Sequence, residues 1–74
     1  MNTKELFGKE VLDANADRVG KVSDMNFDLK QGTIKSIVIK AGLTKKHEIP
    51  LDRIDKMGDK LILNVAVSEL GKKP

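Results

Sequence analysis

Asp13, Asn15, Asp17 and Asp24 fall at positions one, three, five and twelve of a twelve-residue register. With that spacing an EF-hand loop converges oxygen ligands on calcium, so calcium binding is the first chemistry the chain offers. The same register needs glycine at position six for its sharp turn, and here that position is the cationic Arg18. The flanking residues alternate as strands rather than helices, so the cluster reads as a polar hairpin tip and no metal ligand is assigned. His47, the single histidine, stands between Lys46 and Glu48. A general base needs a nucleophile or carboxylate held beside it, whereas Glu48, as a strand neighbour, points to the opposite face. His47 is therefore expected to face solvent from a strand. Ser23, Ser36 and Ser68 share that one histidine and no Gly-x-Ser-x-Gly elbow exists. Gly8-Lys9 lacks the glycine-rich loop of a phosphate cradle. No catalytic residue and no cofactor site is assigned, and the chain is read as a non-enzyme.

Lys40, Lys45, Lys46 and His47 form the densest basic patch. A few lysines attract nucleic acid only weakly and in a salt-sensitive way. Phe7 and Phe27 are the only aromatic residues, too few for a base-stacking platform. The net charge of +3 arises from 14 basic and 11 acidic residues, and removing Lys72 and Lys73 of the tail leaves 12 against 11, or +1. Elsewhere lysines and acids alternate, as in Lys9-Glu10 and Asp55-Lys56, the pattern of a solvated surface. Nucleic acid is not the expected partner.

Seventy-four residues form a single domain, with a core over about 6–65 and a possible tail over 66–74. A chain of this size buries only about 60% of its unfolded surface. Cysteine is absent and histidine single, which removes disulfides and leaves too few nitrogen and sulfur ligands for the usual zinc staple. Oligomerisation is the remaining aid to stability. No apolar run approaches the roughly 18 residues of a membrane span. Met1 to Gly8 has no signal-peptide core, so the expected location is the cytoplasm, without membrane insertion.

The elements that must position these residues are strands. Thr3 to Gly8 leads in with Leu6 or Phe7 tucked under, and a strand near Glu10 to Asp13 puts Val11 and Leu12 on opposite faces. The Asp13 to Asp17 turn is expected to place Asn15 at positive φ, because asparagine tolerates that region. In the next strand Val19, Met25, Phe27 and Leu29 share one parity and Val22 the other, which predicts a β-bulge near Ser23-Asp24. Lys30 to Thr33 is a turn, Ile34 to Lys40 a strand, and Lys46 to Ile49 a short strand. Pro50 to Ile54 reads as one helical turn with Leu51 and Ile54 facing inward. Lys56-Met57 and Lys60 to Val65 close the fold around a Gly58-Asp59 turn. About six short strands in so few residues favour a small all-β barrel.

The order Gly8-Lys9-x-Val11, Val19-Gly20-Lys21-Val22-x-Asp24, Phe27-Asp28, Gly32-x-Ile34, Ile49-Pro50, Gly58-Asp59 and Leu61-Ile62-Leu63 resembles the PRC-barrel family over Leu6 to about Leu63. One departure stands at the hairpin turn, where the family usually carries glycine before an acid and this chain has Ala16 before Asp17. The resemblance implies a PRC-barrel-like β-barrel that binds protein without catalysis, like the small stand-alone archaeal members, some of which are cell-division adaptors. Ribosome maturation or RNA processing is the alternative it implies.

Ile37-Val38-Ile39 and Leu61-Ile62-Leu63 are apolar on both faces, yet a thin barrel buries only the inner one. Val38 and Ile62, if adjacent across paired strands, would make a self-complementary surface for a two-fold homodimer. Otherwise Ala66 and Val67 would fold back over them. The assigned interface is Val38, Ile62, Lys45, Lys46, His47 and Glu48, facing a second copy and a protein partner.

Overall fold

A computed structural model describes residues 2–69. Asn2 caps a one-turn helix, α1 (Thr3–Leu6), in which the Asn2 side chain accepts from the Glu5 N–H at 2.9 Å and Glu5 returns the bond to the Asn2 N–H. Of the two lead-in residues, Leu6 is buried and Phe7 is exposed. Six strands follow: β1 (Glu10–Leu12), β2 (Arg18–Asp28), β3 (Thr33–Ala41), β4 (Lys45–Pro50), β5 (Ile54–Met57) and β6 (Leu61–Leu63). They form one sheet in the order β4-β3-β2-β1-β6-β5, curled into a half-barrel. The β1–β2, β2–β3, β3–β4 and β5–β6 pairs are antiparallel, and β6 joins β1 in parallel.

The concave face holds the core. Val11, Ile37, Ile39, Ile49, Leu61 and Leu63 are each no more than 2% exposed, with Val19, Val22, Met25 and Leu6 around them. The bulge expected near Ser23-Asp24 is present: Val22 pairs with Ile39 but Asp24 with Val38, leaving Ser23 unpaired. That extra residue lets Val22 and Met25 both face inward, and the Ser23 hydroxyl donates to the Val38 carbonyl. A second shift, at Val19, serves β1. Phe27 and Leu29 share the inward parity but lie beyond the core, at 58% and 90% exposure.

Three local expectations are corrected. Ala16, not Asn15, takes positive φ, at 66°. The Asp13 carboxylate accepts the N–H groups of Asn15 and Asp17, and the Asp13 carbonyl accepts the Ala16 N–H, so the turn is clamped with its left-handed residue between them. Leu51 is 40% exposed rather than inward, because the helical turn is only Leu51–Arg53 and Ile54 has already entered β5. His47 faces the core side at half burial instead of solvent, since it shares the parity of buried Ile49 and pairs in register with Ile39.

The C-terminal segment docks on the hairpin turn. Ala14 N–H donates to the Val65 carbonyl, and the Val67 N–H donates to Asp13 Oδ2 at 2.7 Å. Val67–Glu69 forms one helical turn. The rest of the proposed tail, residues 70–74, lies outside the described residues. No helix among the described residues is long and apolar enough to cross a membrane.

Candidate interaction surface

Strand register carries side chains to the face opposite the core in rows across β2, β3 and β4. Lys21 pairs with Lys40 and Lys40 with Lys46, so three lysines stand in line. The next outward row is Asp24, Val38 and Glu48, and the one after it Asn26, Ser36 and Pro50. Val38, half-buried, is thus flanked by a carboxylate on each neighbouring strand.

The two carboxylates are held. Asp24 Oδ1 accepts the N–H of Met25 at 2.8 Å. Glu48 Oε2 accepts from the Ser36 hydroxyl at 2.6 Å and from Asn26 Nδ2 at 3.0 Å, while Asn26 also donates to Ser36 Oγ. Ser36 is 3% exposed although it lies on the outer parity, because this three-strand network covers it. The network fixes Glu48 along the sheet and leaves Lys40 and Lys46 without an acid directly opposite.

The lysine row continues on β1 with Glu10, opposite Lys21. Glu10 meets Lys60 at 3.0 Å and Arg18 at 3.6 Å. The Lys60 hydrogen bond is the main reason the Glu10 carboxyl is held below its usual range, with the charges of Lys60, Arg18 and Lys21 adding to it. An open groove of about 800 Å³ adjoins the row, lined by Arg18, Lys21, Ser23, Lys40 and the Gly42-Leu43 turn among others, with no carboxylate in its wall.

The assigned interface residues separate. Val38, Glu48, Lys45 and Lys46 lie together on or beside β3 and β4, whereas Ile62 is on β6. Because β6 pairs with β1, strands β2 and β1 stand between Val38 and Ile62, and the adjacency expected of them does not form. Ile62 instead neighbours Leu12, and both are half-buried. The EF-hand register also parts: Asp24 is on the outer face of β2, while Asp13 is 1% exposed and its carboxylate accepts three backbone N–H groups. Those bonds, the one from Val67 foremost, draw the Asp13 carboxyl below its usual range against the opposing effect of burial. No group of three or more histidine, cysteine or acidic side chains is placed to share a metal ion among the described residues.

Lys21 and Asp13 are the residues whose roles the sequence reading missed. Lys21 joins the patch only through the register on the N-terminal side of the Ser23 bulge. For Asp13 the available signal was an acid directly before an Asn/Asp-rich turn, a position where side chains commonly accept backbone donors.

A sheet whose concave side is filled by its own side chains and whose outer side carries ordered charged rows defines a small β-module with its usable surface on the outside. The chain matches the PRC-barrel domain profile over residues 1–70, and it belongs to that family. The family is a generic small β-barrel module often involved in protein interactions. No curated protein matches the chain significantly.

Proposed function

We propose that this domain is a non-catalytic adaptor that binds protein through the outer face of β2, β3 and β4. The observation that carries this reading is the filled interior. The core side chains, Leu6, Val11, Val19, Val22, Met25, Ile37, Ile39, Ile49, Leu61 and Leu63, are each at most 7% exposed, so among the described residues the interior is occupied by the chain's own side chains. Recognition would then use the outer rows and loops, with Val38, Lys46 and Glu48 on those rows and Lys45 exposed at the start of β4. A cytoplasmic cell-division assembly is the specific setting we propose for the adaptor.

A homodimer through Val38 is part of the same proposal, with Ile62 and Leu12 as a separate second patch. Val38→Asp would bury an unpaired charge in such a contact and convert the dimer to monomer in sedimentation equilibrium. A variant that stays dimeric and equally stable removes Val38 from the interface. Ribosome maturation or RNA processing is the second reading, favoured by the in-register lysines alone.

The deciding experiment is affinity capture of the tagged protein from its native extract, divided into nuclease-treated and untreated halves. A discrete protein retained in both halves supports the adaptor. Ribosomal proteins recovered only without nuclease support the second reading.

A further inference from the structure

The row Lys21, Lys40 and Lys46 is a feature that the fold does not need. Adjacent strands lie about 4.8 Å apart, and like charges directly opposite one another disfavour the pairing. None of the three lysines has an ion pair among the described residues. The nearby acids are engaged elsewhere: Glu10 by Lys60 and Arg18, Asp24 by the Met25 N–H, Glu48 by Ser36 and Asn26. Beside the row runs the groove walled by Arg18, Lys21 and Lys40, with no acid in its lining.

We propose that the lysine row and this groove dock an extended acidic segment of a partner protein. The inference rests on the adaptor reading for the existence of that partner and adds its chemistry. The row spans two inter-strand gaps, roughly 10 Å, which three or four extended residues match. Carboxylates on such a segment would neutralise Lys40 and Lys46, which have no acid opposite them. At Lys21 they would add to Glu10, which is shared with Lys60 and Arg18, while Val38 in the next row offers an apolar contact. A nucleic-acid backbone fits less well. Single strands are held largely by stacking bases on aromatic side chains, and neither Phe7 nor Phe27 lines the row or the groove.

The test uses the full chain and a fluorescein-labelled octapeptide of alternating glutamate and threonine, read by fluorescence anisotropy at about 50 mM salt, where charge attraction is least screened. The comparison ligands are the glutamine-for-glutamate peptide and a single-stranded DNA of equal charge. Two triple variants with the same net charge are compared: K21Q/K40Q/K46Q and, away from the row, K30Q/K35Q/K56Q. The row variant should lose at least about tenfold in affinity for the acidic peptide and the distant variant less than about twofold. The row variant should also melt no lower than the parent, because it relieves like-charge pairing, so lost binding is not lost folding.

Equal weakening by both variants, tighter binding of the DNA, or no binding of the peptide overturns the proposal. Dissociation of a dimer by the row substitutions also overturns it, by making the occupant a second copy. In the capture experiment, a native partner held equally by the row variant refutes this docking site and leaves the adaptor standing. An extract with no protein partner refutes the adaptor and the inference with it.

Discussion

Gly20→Ala is expected to be the most damaging conservative change in the hairpin. Gly20 lies in β2 opposite Val11, and the neighbouring β3 backbone passes so close that an added Cβ would sit 2.2 Å from the Lys40 carbonyl oxygen, 2.9 Å from its carbon and 3.2 Å from the Ala41 Cα. All three are backbone atoms, so no rotamer change relieves the contact. Restoring a carbon–oxygen separation of roughly 3.3 Å requires β3 to move by about 1 Å. Ladder bonds near 2.9 Å would then stretch toward about 3.9 Å and cease to count as bonds. Losing one or two of them at about 1 kcal/mol each, with overpacking at about 1–3 kcal/mol, gives a loss of about 3 kcal/mol.

For a domain of 74 residues the whole stability is roughly 4–11 kcal/mol. Urea unfolding followed by far-UV circular dichroism should therefore show a midpoint lower by about 2–3 M, taking a slope near 1 kcal/mol/M. The control is Gly42→Ala, where φ is +69° and no atom lies within 4 Å of the added Cβ. That change meets only the left-handed backbone penalty, about 1 kcal/mol. A Gly20→Ala midpoint within about 0.3 M of the parent would refute the close approach. If Gly42→Ala proved equally harmful, backbone conformation and not crowding would be the cause.

Ala16 at φ 66° carries the left-handed penalty that glycine avoids, so Ala16→Gly should raise stability by about 0.5–1 kcal/mol in the same urea assay. Asp13 has a carboxyl depressed by the Val67, Asp17 and Asn15 N–H groups, so its contribution is present above the unfolded carboxylate range and is lost as pH falls through the folded value. The melting temperature should accordingly drop as pH is lowered from 5 toward 3 and below, and Asp13→Asn, which cannot accept at both oxygens, should be less stable at neutral pH with a flatter acid limb. Lys40→Glu places a carboxylate between Lys21 and Lys46, and should stabilise the fold by about 0.2–1 kcal/mol for each cross-strand pair converted, measured by thermal melting at low salt.

The sequence carried the strand set, the hairpin, the Ser23 bulge and the Gly32 turn because each leaves a local mark: parity, a parity break, or a glycine at φ 67°. Sheet order leaves no such mark. The parallel docking of β6 on β1 is a long-range choice, and it separates Val38 from Ile62. Local propensity also misled at the turn. Asparagine tolerates positive φ better than alanine, yet the Asp13 clamp dictates which residue sits there, and the competing donors of Asn15 and Asp17 leave Ala16 in the left-handed slot. The charged neighbours of His47 suggest a solvent-facing side chain, while its face is set by Ile49 two residues away and by the register with Ile39.

The lysine row shows how register turns composition into a surface. Were β2 and β3 paired without the Ser23 bulge, continuing from Asp24 and Val38, Val22 would lie opposite Lys40 and Lys21 opposite Ala41, and no row would exist. The bulge that lets Val22 enter the core is thus also what aligns the lysines. Edge protection explains part of the pattern, since Lys45, Lys46 and Pro50 on the terminal strand β4 discourage further strand addition. It does not explain Lys21 or Lys40, which lie on paired strands inside the sheet. A thin-cored domain gains nothing in stability from aligned like charges there, and a local choice that opposes the fold is where a binding role is most reasonably sought. If Lys40→Glu stabilises the domain while abolishing acidic-peptide binding, the two effects together identify the row as retained for recognition and not for folding.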